Sequence, residues 1–180
     1  IKSSPKNVLG EKIVPMILRV FMPLLLLLIG GCYSFKGISI DPDVNTFYVR
    51  NFETIASNAP PTLGLDFGER IKDKVRSETR LQLNTTEADV EFTGKITDFR
   101  VIPVAPKPGE QISLNRLEIR MRIGFINNKN EKKGWPNERD FSHFAEFSNS
   151  TDLLTVQDQL VRQIGDQLLE DIFNAAFNDW

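Results

Sequence analysis

The stretch from Leu117 to Phe125 reads Leu-Glu-Ile-Arg-Met-Arg-Ile-Gly-Phe and decides the fold. Its odd-numbered positions are all apolar, and the even-numbered ones, together with the preceding Arg116, are charged except for Gly124. Alternation with a period of two residues is typical of a β-strand that has one buried face and one face in water. A sheet with one dry face needs a second layer to cover that face, so this strand predicts a two-layer domain.

Three further segments have the composition of strands. The β-branched and aromatic run Thr46–Phe52 predicts strand one. From 89 to 101 the apolar residues alternate and then change phase, which predicts strand two with a bulge near Thr97 and Asp98. After a polar turn, Asp140–Phe147 predicts a fourth strand that follows the one around Ile119.

Two segments have the apolar spacing of helices. Between the first two strands, apolar residues recur every four positions from Leu63 to Val75, which predicts an amphipathic helix that ends near Arg80. Near the carboxyl end, Thr155-x-x-Asp158 has the spacing of a capping box and precedes an apolar stripe of about six turns. The element order is therefore strand-helix-strand-strand-strand-helix.

This order predicts an α+β, two-layer sandwich with a four-stranded mixed sheet and both helices packed on one face. Strands one and two flank a helix, so we expect them to be parallel and joined by a right-handed crossover. The remaining strand neighbours are expected to be antiparallel.

Composition excludes several classes of function. The 180 residues include 22 Lys and Arg against 24 Asp and Glu, a formal charge of -2, which disfavours a nucleic-acid binder. One Cys and one His exclude an intrachain disulfide and a Cys/His zinc site. We therefore expect no metal, no cofactor and no nucleic-acid partner.

The amino-terminal region has the three parts of a secretory signal. A basic start and an apolar run to Ile29 precede the small residues Gly30 and Gly31. Arg19 and two prolines make the run a poor membrane-spanning helix. The order Leu-Ile-Gly-Gly-Cys, ending at Cys32, resembles the bacterial lipobox, in which the cysteine thiol receives a diacylglycerol and becomes the mature amino terminus.

We therefore predict a signal peptide over 1–31, with 1–15 upstream of the true start, a lipidated tether over 32–45 and a folded domain over 46–180. The chain from Cys32 onward has 149 residues and a formal charge of -5. Acyl chains on Cys32 would hold the protein at a membrane without spanning it. We expect the periplasmic side of the outer membrane.

Few residues have the pattern of a chemical site. His143 is in phase with the apolar residues of the fourth strand and has no nucleophile motif beside it, so we interpret it as a partly buried structural histidine. Phosphate-binding and zinc-protease motifs are absent from the sequence. We predict that the protein is not an enzyme and has no catalytic residues.

Arg116, Arg120 and Arg122 share the wet face of their strand and allow two interpretations. Guanidinium groups bind phosphate, so the cluster is a candidate contact for an anionic lipid. The alternative is ion pairing across the sheet with acids such as Glu91 and Glu118. Three aromatic residues fall outside the periodic faces and are candidates for docking on a partner or a membrane: Phe35, Trp135 and Trp180.

The sequence resembles the LptE family of lipopolysaccharide-assembly lipoproteins, in the form found in Bacteroidetes. The resemblance covers the mature chain and depends on the order of several short motifs, which are Gly31-Cys32-Tyr33-Ser34-Phe35, Gly94-Lys95-Ile96-Thr97-Asp98-Phe99, Leu114-Asn115-Arg116-Leu117, Phe141 with Phe144 and Phe147, and Asp171-Ile172-Phe173-Asn174 with Trp180.

The resemblance implies a non-enzymatic outer-membrane lipoprotein that plugs the β-barrel LptD, assists its assembly and helps to deliver lipopolysaccharide to the outer leaflet. Its partners would be an LptD-like barrel and lipopolysaccharide. The alternative is a generic periplasm-facing lipoprotein module that binds another envelope protein or polymer.

Overall fold

Two helices and a six-stranded sheet are formed by the residues that the computed structural model describes, 40–105 and 113–177. In chain order the elements are β1 (Thr46–Val49), β2 (Glu53–Thr54), α1 (Leu63–Glu78), β3 (Gln82–Leu83), β4 (Val90–Val104), β5 (Leu114–Asn127), a 3-10 turn (Glu131–Lys133), β6 (Arg139–Ser148) and α2 (Leu153–Phe177). The sheet order is β3-β1-β4-β5-β6, and β2 also pairs with β4.

The β4–β5 hairpin forms the centre of the sheet. The two strands pair from Val90 opposite Asn127 to Val104 opposite Leu114, with one irregularity between Ile96 and Asp98. The predicted bulge is therefore confirmed at Thr97. β4 runs three residues beyond the predicted end at Val101, because β5 begins early enough to pair with those residues.

The prediction of a four-stranded sheet was wrong, because the sheet has six strands within the described residues. The segment predicted as strand one, Thr46–Phe52, is a strand only as far as Val49, and a separate strand begins at Glu53. Val49 lies opposite Phe92, whereas Glu53 lies opposite Lys95. The four residue steps from Val49 to Glu53 thus lie opposite only three steps of β4, and the extra residue separates β1 from β2. The sixth strand, β3, has only two residues, too few for an alternating pattern to be seen.

Phe52 lies between β1 and β2 and packs closely against both the sheet and the first helix. Its buried ring covers Gly94 of β4 so closely that a Cβ atom on residue 94 would lie 2.5 Å from ring carbons. A Cβ atom on Gly64, in the first turn of α1, would lie 2.6 Å from the Phe52 carbonyl oxygen. The two glycines therefore let the helix and the sheet close on Phe52 from opposite sides.

The strand directions agree with prediction. β1 and β2 run parallel to β4, and both β4–β5 and β5–β6 are antiparallel. The inward residues of the strands form one core with the apolar stripes of both helices, which places both helices on one face of the sheet. The central inward residues of β4 and β5 are at most 1% exposed except for Phe99 (3%): Val90, Phe92, Ile96, Phe99, Leu117, Ile119, Met121, Ile123 and Phe125.

Both helices differ from prediction at one end. α1 ends at Glu78 and not near Arg80, because Thr79 already has the extended backbone that leads into β3. α2 begins at Leu153, and the Asp152 carboxylate accepts a hydrogen bond from the Leu154 amide at 3.1 Å. The predicted cap, Thr155, therefore lies inside the helix, which has about seven turns rather than six.

Asp89 joins the beginning of β1 to the beginning of β4. Burial alone would raise the pKa of its carboxyl group, but hydrogen bonds to the charged form lower the pKa overall. The same oxygen accepts from the backbone amides of Asn45 and Thr46 at 2.8 and 3.0 Å, and Lys129 lies 3.2 Å from the other oxygen. These bonds fix the parallel start of the sheet without a connecting turn.

We predict that Gly94→Ala lowers the free energy of unfolding by about 1–3 kcal/mol, because the new methyl group would overlap the buried ring of Phe52. Chemical denaturation measures this change. Removing the large ring as well, in Gly94→Ala with Phe52→Leu, should give a loss smaller than the sum of the two single losses.

Gly68→Ala in α1 is the matched control. A Cβ atom there meets its nearest neighbours at 3.8–4.0 Å, which is ordinary contact. Alanine also favours helix over glycine, so this variant should be unchanged or more stable by up to about 1 kcal/mol. Equal effects at the two positions would contradict the role given to Phe52.

Candidate functional site

The outward side of β4, β5 and β6 is an ordered polar surface. We call it the polar face, and it comprises Lys95, Asp98, Arg100, Arg116, Glu118, Arg120, Arg122, Glu138, Asp140, Ser142, Phe144 and Glu146. It follows from the alternation of the strands, since every second residue must point away from the helices. The surface contains five basic and five acidic side chains.

The structure brings the three predicted arginines together on this face and gives each a carboxylate. Arg116 is 2.6 Å from Glu146, Arg122 is 2.8 Å from Asp140 and Arg120 is 3.2 Å from Glu118. The predicted pairing across the sheet is formed with Glu146 and Asp140 of β6, whereas Glu118 lies on the same strand as Arg120, two residues away. The predicted pairing with Glu91 is wrong, because Glu91 lies opposite Tyr48 of β1 and binds Arg50 at 2.9 Å.

Four residues form a continuous chain of ion pairs across the middle of the polar face. Arg100 lies 3.2 Å from Asp98 and 3.0 Å from Glu118, and Glu118 also binds Arg120. Lys95 is 3.5 Å from Glu138 at the edge of the same surface. The bases of the polar face are thus neutralised by acids of the same face.

On the polar face, the pair of Arg122 and Asp140 shifts the pKa of both its members. Two guanidinium nitrogens of Arg122 donate to the two Asp140 oxygens at 2.8 and 3.1 Å. This hydrogen bonding, more than burial, sets the pKa of Asp140 below its usual value, and it also raises the pKa of Arg122. Both side chains are about half exposed, so solvent screens the pair.

Phe144 is a large apolar side chain on the edge strand β6, within this ionic surface. It is 47% exposed, and the guanidinium carbon of Arg116 lies 3.8 Å from its ring centre. Phe144 was not among the site residues predicted from the sequence. The signal was present, because Phe144 is out of phase with the inward residues Phe141 and Phe147.

His143 and Trp135 lie on the other side of β6. The Nε2 atom of His143 is 3.5 Å from an Asp171 oxygen of α2, and the side chain is 34% exposed, as predicted for a partly buried histidine. Trp135 packs 5.6 Å from Phe125 and 5.8 Å from Phe141, measured between ring centres. Trp135 therefore belongs to the margin of the core. Cys32, Phe35 and Trp180, with the predicted signal peptide, lie outside the described residues.

Neither a metal site nor a membrane-spanning helix is found in 40–105 and 113–177. No group of three or more His, Cys, Asp or Glu side chains in these ranges could hold a metal ion. No helix within them is long and apolar enough to cross a bilayer.

The described residues form a two-layer α+β sandwich whose sheet has a dry face under two helices and an uncovered, charge-balanced face. A family model described as LptE, lipopolysaccharide-assembly, matches residues 44–176. The chain belongs to the LptE lipopolysaccharide-assembly family.

Solved structures similar to this chain include proteins from several bacteria. A minor lipoprotein from Acinetobacter baumannii has 11% identity and a TM-score of 0.45, with 71% of this chain and 88% of that chain covered. Hypothetical protein CT253 from Chlamydia trachomatis has 10% identity and a TM-score of 0.46, with 72% of this chain and 94% of that chain covered. Uncharacterized lipoprotein B from Nitrosomonas europaea has 13% identity and a TM-score of 0.44, with 79% of this chain and 87% of that chain covered. The curated proteins give no significant match.

We predict that Arg122→Gln raises the pKa of Asp140 toward its ordinary value, because the charged hydrogen-bond donor is lost. Carboxyl titration by NMR measures this shift. A carboxyl group whose pKa is lowered in the folded state stabilises the fold at pH values above its unfolded-state pKa, which is near 4. This contribution to stability is lost as the pH falls. The variant should therefore lose less stability than the wild type on acidification.

Because both groups are about half exposed and solvent screens the pair, the free energy of unfolding at pH 7 should change little. The pKa of Asp89 serves as the internal control and should not move. An unchanged pKa at Asp140 would mean that the pair with Arg122 does not form in solution.

Proposed function

We propose that this protein is an outer-membrane lipoprotein of the lipopolysaccharide-export machinery. It is anchored through Cys32, occupies and helps to assemble an LptD-like β-barrel, and assists delivery of lipopolysaccharide to the outer leaflet without catalysing a reaction. The observation that carries the proposal is the LptE family match across residues 44–176.

The polar face supports this role physically. The lumen of a large outer-membrane barrel is polar and wet, so a domain that enters it must expose hydrophilic surface. Here the sheet is uncovered on the side where ion pairs alternate, while the apolar residues are already buried under α1 and α2. The domain can therefore lie against a polar wall without first exposing its core.

The lipid anchor on Cys32 contributes through concentration. Two or more acyl chains hold a protein at the bilayer almost permanently, whereas one chain gives only marginal binding. A tethered domain meets a barrel in the same membrane at a high effective concentration. Modest contacts between the two proteins then suffice for a lasting complex.

We predict that the full chain, purified from its own bacterial host in a mild detergent, brings a large outer-membrane β-barrel with it. Mass spectrometry and heat-modifiable migration identify the barrel. Recovery of the chain alone, or with a soluble or polymeric envelope partner, would instead favour a generic periplasm-facing module.

Cys32→Ala is the matched control for the anchor. In cells fed labelled fatty acid, the wild-type chain should carry the label and the variant should not. If Cys32→Ala still incorporates labelled acyl chains, the modified residue lies elsewhere, whatever the result for the barrel.

We propose lipopolysaccharide as the alternative occupant of the polar face, with its phosphate groups bound by the arginines and Arg120 as the leading candidate among Arg116, Arg120 and Arg122. Arg116 and Arg122 each donate from two nitrogens to one carboxylate, whereas Arg120 donates from one nitrogen to Glu118. Arg120 thus keeps more N–H groups for an anion.

We predict that Arg120→Glu weakens binding of purified lipopolysaccharide about tenfold, because a charged hydrogen bond is replaced by repulsion. The melting temperature should change little, since Arg120 is 41% exposed. Titration of labelled lipopolysaccharide onto the two proteins tests this. Equal affinities with equal melting temperatures would leave Arg120 with only its structural ion pair.

A further inference from the structure

We infer that the polar face is the side of the domain that lies against the barrel wall, and that Phe144 with Arg116 is the anchor of that contact. The inference rests on the proposed function, and it specifies the surface, which the family assignment does not. Four properties of the described residues support it: the size, the charge balance and the anchor of the polar face, and the contrast with the helix layer.

The polar face is large enough to form a substantial part of an interface. β5 has 14 residues and is flanked on both sides by long strands. The members of the polar face span only 116–122 on β5 and 138–146 at β6, so at about 3.3 Å per residue and about 4.8 Å between strands it covers roughly 27 by 15 Å. This flat area, roughly 400 Å², is about half of the ~800 Å² that one partner contributes to a standard protein interface, and the relief of the side chains adds to it.

The charges of the polar face are arranged so that it can be covered. Its five bases and five acids are paired with one another, which leaves no net charge. Covering a surface is most unfavourable where it leaves a charge without a partner. A polar and nearly neutral surface, such as the inner wall of a barrel, therefore fits this face better than a strongly charged one.

Phe144 and Arg116 have the properties of an interface anchor. Aromatic and arginine side chains are enriched at the centres of protein interfaces and carry much of the binding energy. Arg116 is already held by Glu146 at 2.6 Å and by the Phe144 ring at 3.8 Å. Little side-chain entropy remains to be lost when a partner covers this pair.

The helix layer lacks this combination. α1 carries four acids and four bases, while α2 carries four acids and one base, so the layer has a net charge of -3. Its exposed apolar residues are single leucines in the first turns, Leu65 at 50% and Leu154 at 78%. Isolated exposed leucines are ordinary on soluble domains.

The test uses photocrosslinking in the intact cell. Benzoyl-phenylalanine is placed at Phe144 or, as a matched control of similar exposure, at Leu65, in the otherwise unaltered chain. We expect an adduct with the barrel from position 144 and little or none from position 65. A barrel adduct from position 65 alone, or equal yields from both positions, would overturn the assignment to the polar face.

A second measurement avoids the bulky probe. Phe144→Ala should reduce the barrel recovered per chain about tenfold, as expected for an interface anchor, whereas Leu65→Ala should not. Both variants change exposed residues, so circular dichroism should show melting close to wild type. If wild type and Phe144→Ala recover the barrel equally, the anchor is wrong although the proposed function stands; if wild type recovers none, the proposed function itself fails.

Discussion

The register between β4 and β5 is the constraint on which the rest of the domain depends. Fourteen matched pairs fix which side of the sheet each residue occupies, and a shift of one residue would reverse all of them. The bulge at Thr97 corrects the change of phase within β4, so that Phe99 returns to the dry side after Ile96. The Thr97 hydroxyl donates to the Arg120 carbonyl at 3.2 Å and so fixes the bulge against β5.

The two sides that this register creates have separate physical roles. The dry side brings strands and helices into one core, where burial of apolar surface supplies most of the favourable free energy of folding. The ion pairs of the polar face are half exposed and contribute little to stability. The polar face can therefore serve recognition without weakening the fold.

Local patterns predicted most of the fold and only part of the site. Alternation and fourfold spacing are local, so the long strands, the bulge and both helices could be derived from the sequence. The close contact between Phe52 and Gly94 could not, because the two residues lie 42 positions apart in the sequence. The carboxylates that bind Arg116 and Arg122 likewise depend on the register with β6, which brings Glu146 and Asp140 opposite them.

The one-sided core has a consequence for the order of assembly. Since both helices and the sheet bury their apolar surfaces against each other, the domain does not need a third layer to complete its folding. Association through the uncovered side would then join two bodies that are already folded, rather than ordering a disordered chain on a template. Such docking avoids the entropy of coupled folding, so a partner can be exchanged without unfolding the domain.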